Sequence, residues 1–286
     1  MALNILMNIR IALLTSLTMV AFAANSIFCR LALSDRANDP ISFTILRLLA
    51  GAAMLLPLLI NAFHDKKIQI SKTTFLPALM LFSYALFFSL SYVRMTASTG
   101  ALIVFPAAQM TMLGYSMYSG ARLSAFEKLG VLLALAGLVY LVQPGFDVPP
   151  VQASLLMALS GISWGIYSIL GKKATDPATA TAMNFAFTLP LILVLYLAFD
   201  LKLTPMGATW AILSGALTSA LGYVLWYIVL KSLKTSTAAV AMLSSPVIAA
   251  FGGILLLNEK ASLRLFVATA LILGGLYIKI AASNKS

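Results

Sequence analysis

Long apolar runs alternate with short polar breaks along the whole chain. Ten runs approach or exceed the roughly 20 mostly apolar residues that a membrane-spanning helix needs: 11–33, 41–61, 74–93, 97–119, 126–142, 152–171, 178–199, 207–230, 236–257 and 263–281. The breaks carry nearly all the charge, as in SDRANDP and NEKASLR. The pattern predicts an all-α integral membrane protein of ten transmembrane helices, in which short loops make neighbouring helices antiparallel.

Composition agrees with this pattern and excludes a soluble domain. Of the 286 residues, 61% are hydrophobic and 9% are charged, whereas soluble domains carry about 25% charged residues. The first run contains Ala21-Phe22-Ala23, which resembles a signal-peptide cleavage site. Because the run continues to Leu33 and comparable runs follow, we interpret it as a retained membrane helix.

Basic residues are distributed unequally between the two sides of the predicted helices. With the N-terminus inside, twelve Lys and Arg fall on the inner side and six on the outer side, the six being Arg30, Arg36, Arg94, Lys202, Lys260 and Arg264. Cytoplasmic loops carry the basic excess, so both termini are predicted to be cytoplasmic, in a multi-pass protein of the inner (plasma) membrane. This bias accounts for the net charge of +11. No clustered basic face indicates nucleic-acid binding.

The two halves of the chain resemble each other. FAANSIFCR, residues 22–30, aligns with WGIYSILGK, residues 164–172, and Pro106 matches Pro246. Each half holds five predicted spans, and an odd number inverts the second copy relative to the first. The sequence therefore predicts two five-helix inverted-topology repeats, residues 1–143 and 150–286.

Several features resemble the drug/metabolite transporter superfamily. These are the aromatic start and basic end of the first repeated segment (Phe22 to Arg30), an Arg within LRLLAGA in the second span, and Asn258-Glu259-Lys260 before a Gly-rich last span. More narrowly, the chain is similar to ten-helix exporters built from two EamA-type repeats. The first half departs from this pattern, since Gly120-Ala121-Arg122 lacks the acid that matches Glu259.

The resemblance implies where the substrate binds and which spans line the binding cavity. Transporters with inverted repeats bind substrate near the bilayer midplane, between the repeats. The resemblance implies that spans one, three, four, six, eight and nine line this cavity, while spans five and ten pack outside it. Small residues such as Gly137 and Gly275 in spans five and ten suit close helix packing.

Five aromatic residues lie too deep in their spans to belong to an interfacial belt. Core packing is one interpretation of them, and a pocket for an amphipathic or aromatic substrate is the other. These candidate substrate-binding residues are Tyr84, Phe88, Trp164, Tyr223 and Tyr227.

Polar residues in mid-span have two interpretations as well. Such groups commonly form hydrogen bonds between helices, but they are also suited to substrate contacts. The candidates for substrate binding are Asn25, Gln109, Ser163, Ser244 and Ser245.

The matched prolines Pro106 and Pro246 are predicted to be hinges. Each lies within an apolar run, where proline removes a backbone donor and kinks a helix. In two oppositely oriented repeats, the two kinks would flank one central cavity. Only the second proline follows two serines, Ser244 and Ser245, so substrate contacts are expected mainly on that side.

Arg47 is the only basic residue well inside a span, about two turns from its outer end. At that depth its side chain could reach the interface or pair with an acid in a loop. The resemblance, in which the matching family position is also basic, implies an outer-gate or structural role for it. All eight acidic residues lie in loops or at span ends. This position disfavours a proton-coupled carrier and a membrane-embedded enzyme, which need titratable groups at depth.

Together these features predict a secondary transporter, not an enzyme, without cofactor or metal. Its partners are the lipid bilayer and a small-molecule substrate, and the oligomeric state stays open. We expect facilitative export of small amphipathic metabolites, above all aromatic and other neutral amino acids, by alternating access. The alternatives are efflux of drugs or lipophilic cations, exchange of nucleotide sugars or sugar phosphates and, more remotely, a channel or membrane enzyme.

Overall fold

The computed structural model describes residues 2–65, 75–120, 122–143, 149–172, 174–233 and 241–283, with side chains from residue 9 to 282. These residues form helices and no strand. The ten helices are α1 (Ala2–Leu33), α2 (Pro40–His64), α3 (Phe75–Tyr92), α4 (Ala97–Tyr118), α5 (Ala125–Val142), α6 (Val151–Gly171), α7 (Pro177–Ala198), α8 (Pro205–Ser232), α9 (Ser244–Leu257) and α10 (Leu263–Ser283).

The all-helical class and the helix order predicted from the apolar runs are confirmed. Nine helices are long and apolar enough to cross a membrane, and α9 is a shorter apolar helix. It begins at Ser244, after a turn at Leu243. Ala241 and Met242 before the turn are helical, and residues 234–240 lie outside the described part of the chain.

Short polar side chains begin several helices at the predicted breaks. Asp39 accepts a hydrogen bond from the Ser42 N–H at the start of α2, and Asp176 does the same for Ala178 in α7. A proline follows each aspartate, at the first helical position, where its missing N–H costs nothing. The repeated Asp-Pro pairs of the sequence are therefore matching helix caps.

Two helices depart from the uninterrupted α-helices that the apolar runs predict. The first, α7, is interrupted at Thr188, because Pro190 has no N–H to donate to the Ala186 carbonyl. The second, α8, widens into a π-helix at Ser214–Leu221. Such wide turns are rare and occur frequently at functional sites.

Consecutive helices run in opposite directions, so the molecule has two faces. We call the side on which α1 begins and α10 ends the terminal face, and the other side the opposite face. Helix α6 packs against α3 and α4, and α1 packs in the same way against α8 and α9. This reciprocal packing is what two inverted repeats would produce, and the division of the chain at residues 143–150 stays a prediction.

Helices α5 and α10 form a pair at the edge of the bundle. They pack against each other along their lengths, and their other main contact is with α4. Gly275 lies so close to α5 that a Cβ built on it would be 2.6 Å from the Ala134 nitrogen. The predicted placement of spans five and ten outside the central helices is confirmed.

Candidate functional site

Aromatic side chains from four helices meet in the middle of the bundle. The rings of Trp164 in α6 and Tyr223 in α8 have centroids 4.5 Å apart, and Tyr84 in α3 lies 5.1 Å from Trp164. Phe22 in α1 contacts both Trp164 and Tyr223. The structure therefore brings aromatic residues that are up to 201 positions apart in sequence, Phe22 and Tyr223, into one cluster.

The other two predicted aromatics border this cluster on different sides. Phe88 lies 5.3 Å from Tyr84, toward the opposite face. The Tyr227 ring contacts the Tyr167 ring, with centroids 6.2 Å apart, and Tyr167 in turn stacks on Trp164 of the cluster. All five predicted aromatic positions are buried.

A small cavity lies within the aromatic cluster, and we call it the central cavity. Its volume of about 10 Å³ is close to the minimum that one water molecule needs, so the site is closed around almost no free space. Five predicted site residues line it, together with three that the sequence did not single out: Asn25, Tyr84, Phe88, Trp164 and Tyr223, with Phe22, Val104 and Phe105. Helices α1, α3, α4, α6 and α8 contribute side chains, and α9, which the resemblance included, contributes none to this lining.

Asn25 is the polar centre of the cavity wall. Its side-chain nitrogen donates to the Tyr84 hydroxyl at 2.9 Å. Its side-chain oxygen accepts from the hydroxyls of Ser214 at 2.7 Å and Thr218 at 3.2 Å. These two residues belong to the π-helix of α8 and were missed from the sequence, where the only signal was the small, hydroxyl-rich stretch SGALTS.

Arg47 lies behind the cavity wall. Its guanidinium donates to the hydroxyl of Ser219 at 3.1 and 3.2 Å and to those of Tyr84 and Tyr223, both at 3.3 Å. The charge also lies over the rings of Tyr84 and Phe88, 5.2 and 5.1 Å from their centroids.

The burial of Arg47 corrects one expectation. Only 1% of the residue is exposed, so the interpretation that it reaches the interface is wrong. The reason is that three hydroxyls and two aromatic faces hold the guanidinium inside the bundle. Through these contacts Arg47 connects α2 to α3 and α8.

A larger cavity opens at the terminal face, and we call it the terminal cavity. Its volume is about 400 Å³, and Tyr115, Lys172, Trp226, Tyr227 and Lys231 are among its lining residues. The Tyr227 hydroxyl is buried without a hydrogen-bond partner. Trp226 touches Phe22 of the central cavity, with ring centroids 5.6 Å apart, so a thin aromatic layer separates the two cavities.

The remaining predicted polar residues line neither cavity. Ser163 donates to the Leu159 carbonyl, Ser244 to the Ala241 carbonyl, and Ser245 to the Met19 carbonyl and sulfur. Gln109 is buried, and its side-chain nitrogen has no partner. Of the three serines, Ser245 makes the hydrogen bond between helices that was the alternative to substrate contact, whereas Ser163 and Ser244 donate to carbonyls of their own chain segment.

The two predicted hinge prolines have different surroundings. Helix α4 continues without interruption through Pro106. Pro246 lies near the start of α9, which begins after a turn at Leu243. The second site therefore has a break in the helix that the first lacks, and the hinge role of both prolines stays a prediction.

Glu259 joins α9 to α4 at the opposite face. Its carboxylate accepts from the Ala97 N–H at 2.6 Å, the Ser98 N–H at 3.2 Å and the Ser98 hydroxyl at 2.6 Å. These two N–H groups lie in the first turn of α4, where intrahelical partners are missing. The arrangement ties the end of α9 to the start of α4 at the opposite face. That face has cavities of its own, of about 700 and 300 Å³, lined by helix ends and loop residues.

The fold and sequence are similar to those of known proteins. Residues 152–280 match the model of the EamA-like transporter family. An uncharacterized protein of Pseudomonas aeruginosa is 45% identical over 274 residues, which cover 95% of both chains. A protein of Escherichia coli named as a probable amino-acid metabolite efflux pump is 25% identical over 203 residues, 65% of this chain and 68% of that one.

A solved crystal structure shows the same fold. It has a TM-score of 0.60 and 20% sequence identity, and the match covers 92% of this chain and 98% of that chain.

Proposed function

Because the chain belongs to the EamA-like transporter family, we propose that this multi-pass membrane transporter exports small amphipathic metabolites, above all aromatic and other neutral amino acids. The observation that carries the proposal is the central cavity, where six aromatic rings surround the polar groups of Asn25, Tyr84 and Tyr223. Apolar walls with a few fixed polar groups are typical of sites for small amphipathic ligands. The similarity to a probable amino-acid metabolite efflux pump supports the same substrate class.

We further propose that transport proceeds by alternating access. The terminal cavity leads toward the central cavity from one face, and Glu259 ties α9 to α4 at the other face. With both termini in the cytoplasm, as the basic residues predict, this state would load substrate from the cytoplasm. Pro106 and Pro246 are our candidate hinges for the change of state.

Transport is proposed to be facilitative. No carboxylate or histidine among the described residues lines the central cavity, and a proton-coupled carrier needs such a group at membrane depth. A zwitterionic amino acid carries no net charge, so its own gradient suffices to drive export.

The test is transport of L-phenylalanine and L-methionine in liposomes that contain the purified protein. We expect saturable transport without an imposed pH gradient. Trp164→Ala should reduce it about tenfold or more, because truncating a buried aromatic contact costs roughly 2 kcal/mol or more of ligand binding.

Trp210→Ala is the matched control, since Trp210 stacks on Phe28 and lines neither cavity. Equal activity of the two tryptophan variants would remove the site assignment. A strict requirement for a pH gradient would remove the facilitative mechanism, and transport of tetraphenylphosphonium in place of amino acids would favour lipophilic-cation efflux.

A further inference from the structure

The Arg47 guanidinium has hydroxyl partners but no acidic partner. Ser219, Tyr84 and Tyr223 accept its hydrogen bonds, and each is uncharged. Among the residues that the structure describes, the acids lie in loops or at helix ends. A charge that is buried at membrane depth without a counter-ion is costly, and such residues commonly mark a functional site.

One nitrogen of the guanidinium has no partner at all. Nη1 of Arg47 is buried and makes no hydrogen bond, whereas Nε and Nη2 are both occupied. A buried donor without an acceptor is costly, and more so when it is charged. The site therefore has one strong donor without an acceptor, and a positive charge without an acidic partner, among the described residues.

The backbone of Arg47 packs directly against Gly215 in the π-helix of α8. A Cβ built on Gly215 would be 2.8 Å from the Arg47 carbonyl carbon and 3.0 Å from its Cα, so only glycine lets the π-helix of α8 approach α2 this closely. The same π-helix supplies Ser219, and Tyr223 follows one turn later. Arg47 is thus held directly behind three residues that line the central cavity, namely Tyr84, Phe88 and Tyr223.

We propose that Arg47 binds the carboxylate of the transported substrate, an inference that rests on the proposed function and specifies its site. A carboxylate that enters the central cavity replaces the Tyr84 and Tyr223 hydroxyls on the guanidinium and engages Nη1, forming the paired hydrogen bonds that arginine makes with carboxylates. The rings of Trp164 and Phe22 then contact the apolar part of the ligand. The substrate class is a small carboxylate with an apolar or aromatic side chain.

The first test uses the purified wild-type protein and four related probes. L-phenylalanine and 3-phenylpropionate carry a carboxylate, whereas L-phenylalaninamide and phenethylamine do not. Binding is measured as the ligand-induced rise in melting temperature, and transport as competition against L-phenylalanine in liposomes. We expect the two carboxylates to bind about tenfold or more tightly than the other two probes, because hydrogen bonds between charged groups are stronger than neutral ones.

The second test changes the arginine. Arg47→Gln should remove the preference for L-phenylalanine over its amide, and Arg47→Lys should keep the preference at reduced affinity, because lysine retains the charge without the paired donors. Arg264→Gln is the control, since Arg264 is half-buried at the opposite face, where it donates to the Gln143 carbonyl and lines neither the central nor the terminal cavity. If Arg47→Gln does not fold, the wild-type probes and Arg47→Lys still decide the question.

The outcomes separate this inference from the proposed function. Transport of L-phenylalanine with equal competition by its amide would overturn the Arg47 site and leave the exporter intact. Binding of 3-phenylpropionate with no transport of any amino acid would overturn amino-acid export and leave the carboxylate site intact. Failure of all four probes to bind would overturn both.

Discussion

The Tyr84 hydroxyl joins the two polar groups beside the central cavity. It accepts from the Asn25 side-chain nitrogen at 2.9 Å and from Arg47 Nη2 at 3.3 Å. In a membrane interior, no water is present to accept hydrogen bonds from the amide and the guanidinium in place of a protein group. Loss of this one oxygen would leave both donors with fewer partners.

Tyr84→Phe tests the importance of that oxygen at the scale of the residue. The ring and its contacts with Trp164 and Phe88 remain, so the effect reports on the hydroxyl alone. We expect a loss of about 1–3 kcal/mol in the free energy of unfolding, the usual cost of an unsatisfied buried donor, and weaker transport of L-phenylalanine. Thermal unfolding in detergent and liposome transport measure the two effects.

The control for this substitution is Tyr118→Phe. Tyr118 is 90% exposed, so removal of its hydroxyl should change neither quantity. Equal stability and transport of Tyr84→Phe and wild type would show that Asn25 and Arg47 do not depend on this hydrogen bond.

The sequence predicted the aromatic residues of the site better than its hydroxyl groups. Tyr84, Phe88, Trp164 and Tyr223 were found because aromatic rings at mid-span depth are unusual. Ser214, Thr218 and Ser219 were missed because the π-helix brings them to one side of α8, and apolar periodicity does not reveal a π-helix. Ser244 and Ser245 have the same chemistry, but their hydrogen bonds go to a carbonyl on their own chain segment and to Met19.

At the scale of the element, close glycine contacts join α5 and α10. Gly275 and Gly130 face each other across the two helices: a Cβ on Gly275 would meet the Gly130 carbonyl oxygen at 2.5 Å. The next residue, Gly274, has no atom within 4 Å of an added Cβ. The two neighbouring glycines therefore provide a matched pair.

Gly275→Ala should separate α10 from α5, and Gly274→Ala should not. Overpacking of a tight contact costs about 1–3 kcal/mol, so we expect a lower melting temperature for Gly275→Ala and an unchanged or slightly higher one for Gly274→Ala. Because this pair lies outside the cavities, substrate affinity of any folded Gly275→Ala protein should be close to wild type. Equal melting temperatures for the two variants would contradict the packing described for this helix pair.

The sequence predicted where the helices lie better than it predicted the irregularities within them. The apolar runs located all ten helices, because the length of a membrane span is set by the bilayer. The interruption of α7 at Thr188, the π-helix of α8 and the turn at Leu243 before α9 depend on local backbone bonding and on packing. The sequence holds a local signal for two of these three departures. Pro190 lies just after the interruption of α7, and Pro246 lies in the first turn of α9.

At the scale of the whole molecule, the two faces are held differently. At the opposite face, Glu259 makes three hydrogen bonds to the start of α4. In the aligned position of the first half, Gly120-Ala121-Arg122 offers no acid for the terminal face. Hydrogen bonds to a carboxylate are stronger than neutral ones, so this asymmetry should favour the state with the terminal face open.

The most direct test of the proposed alternating-access cycle is the accessibility of one cysteine at each face. In a Cys29→Ser background, Ser116→Cys reports on the terminal cavity, which Ser116 lines, and Ala101→Cys reports on the buried part of α4 below Glu259. Labelling by a hydrophilic maleimide is compared, in detergent, with and without Glu259→Ala. Asp35→Ala, an acid in a loop of the same face, is the control.

We expect Glu259→Ala to accelerate labelling of Ala101→Cys about tenfold or more and to slow that of Ser116→Cys, because loss of charge-assisted hydrogen bonds shifts the population from one state to the other. Asp35→Ala should change neither rate. Faster labelling at both positions together would indicate a pore open at both faces at once, and this result would contradict the account.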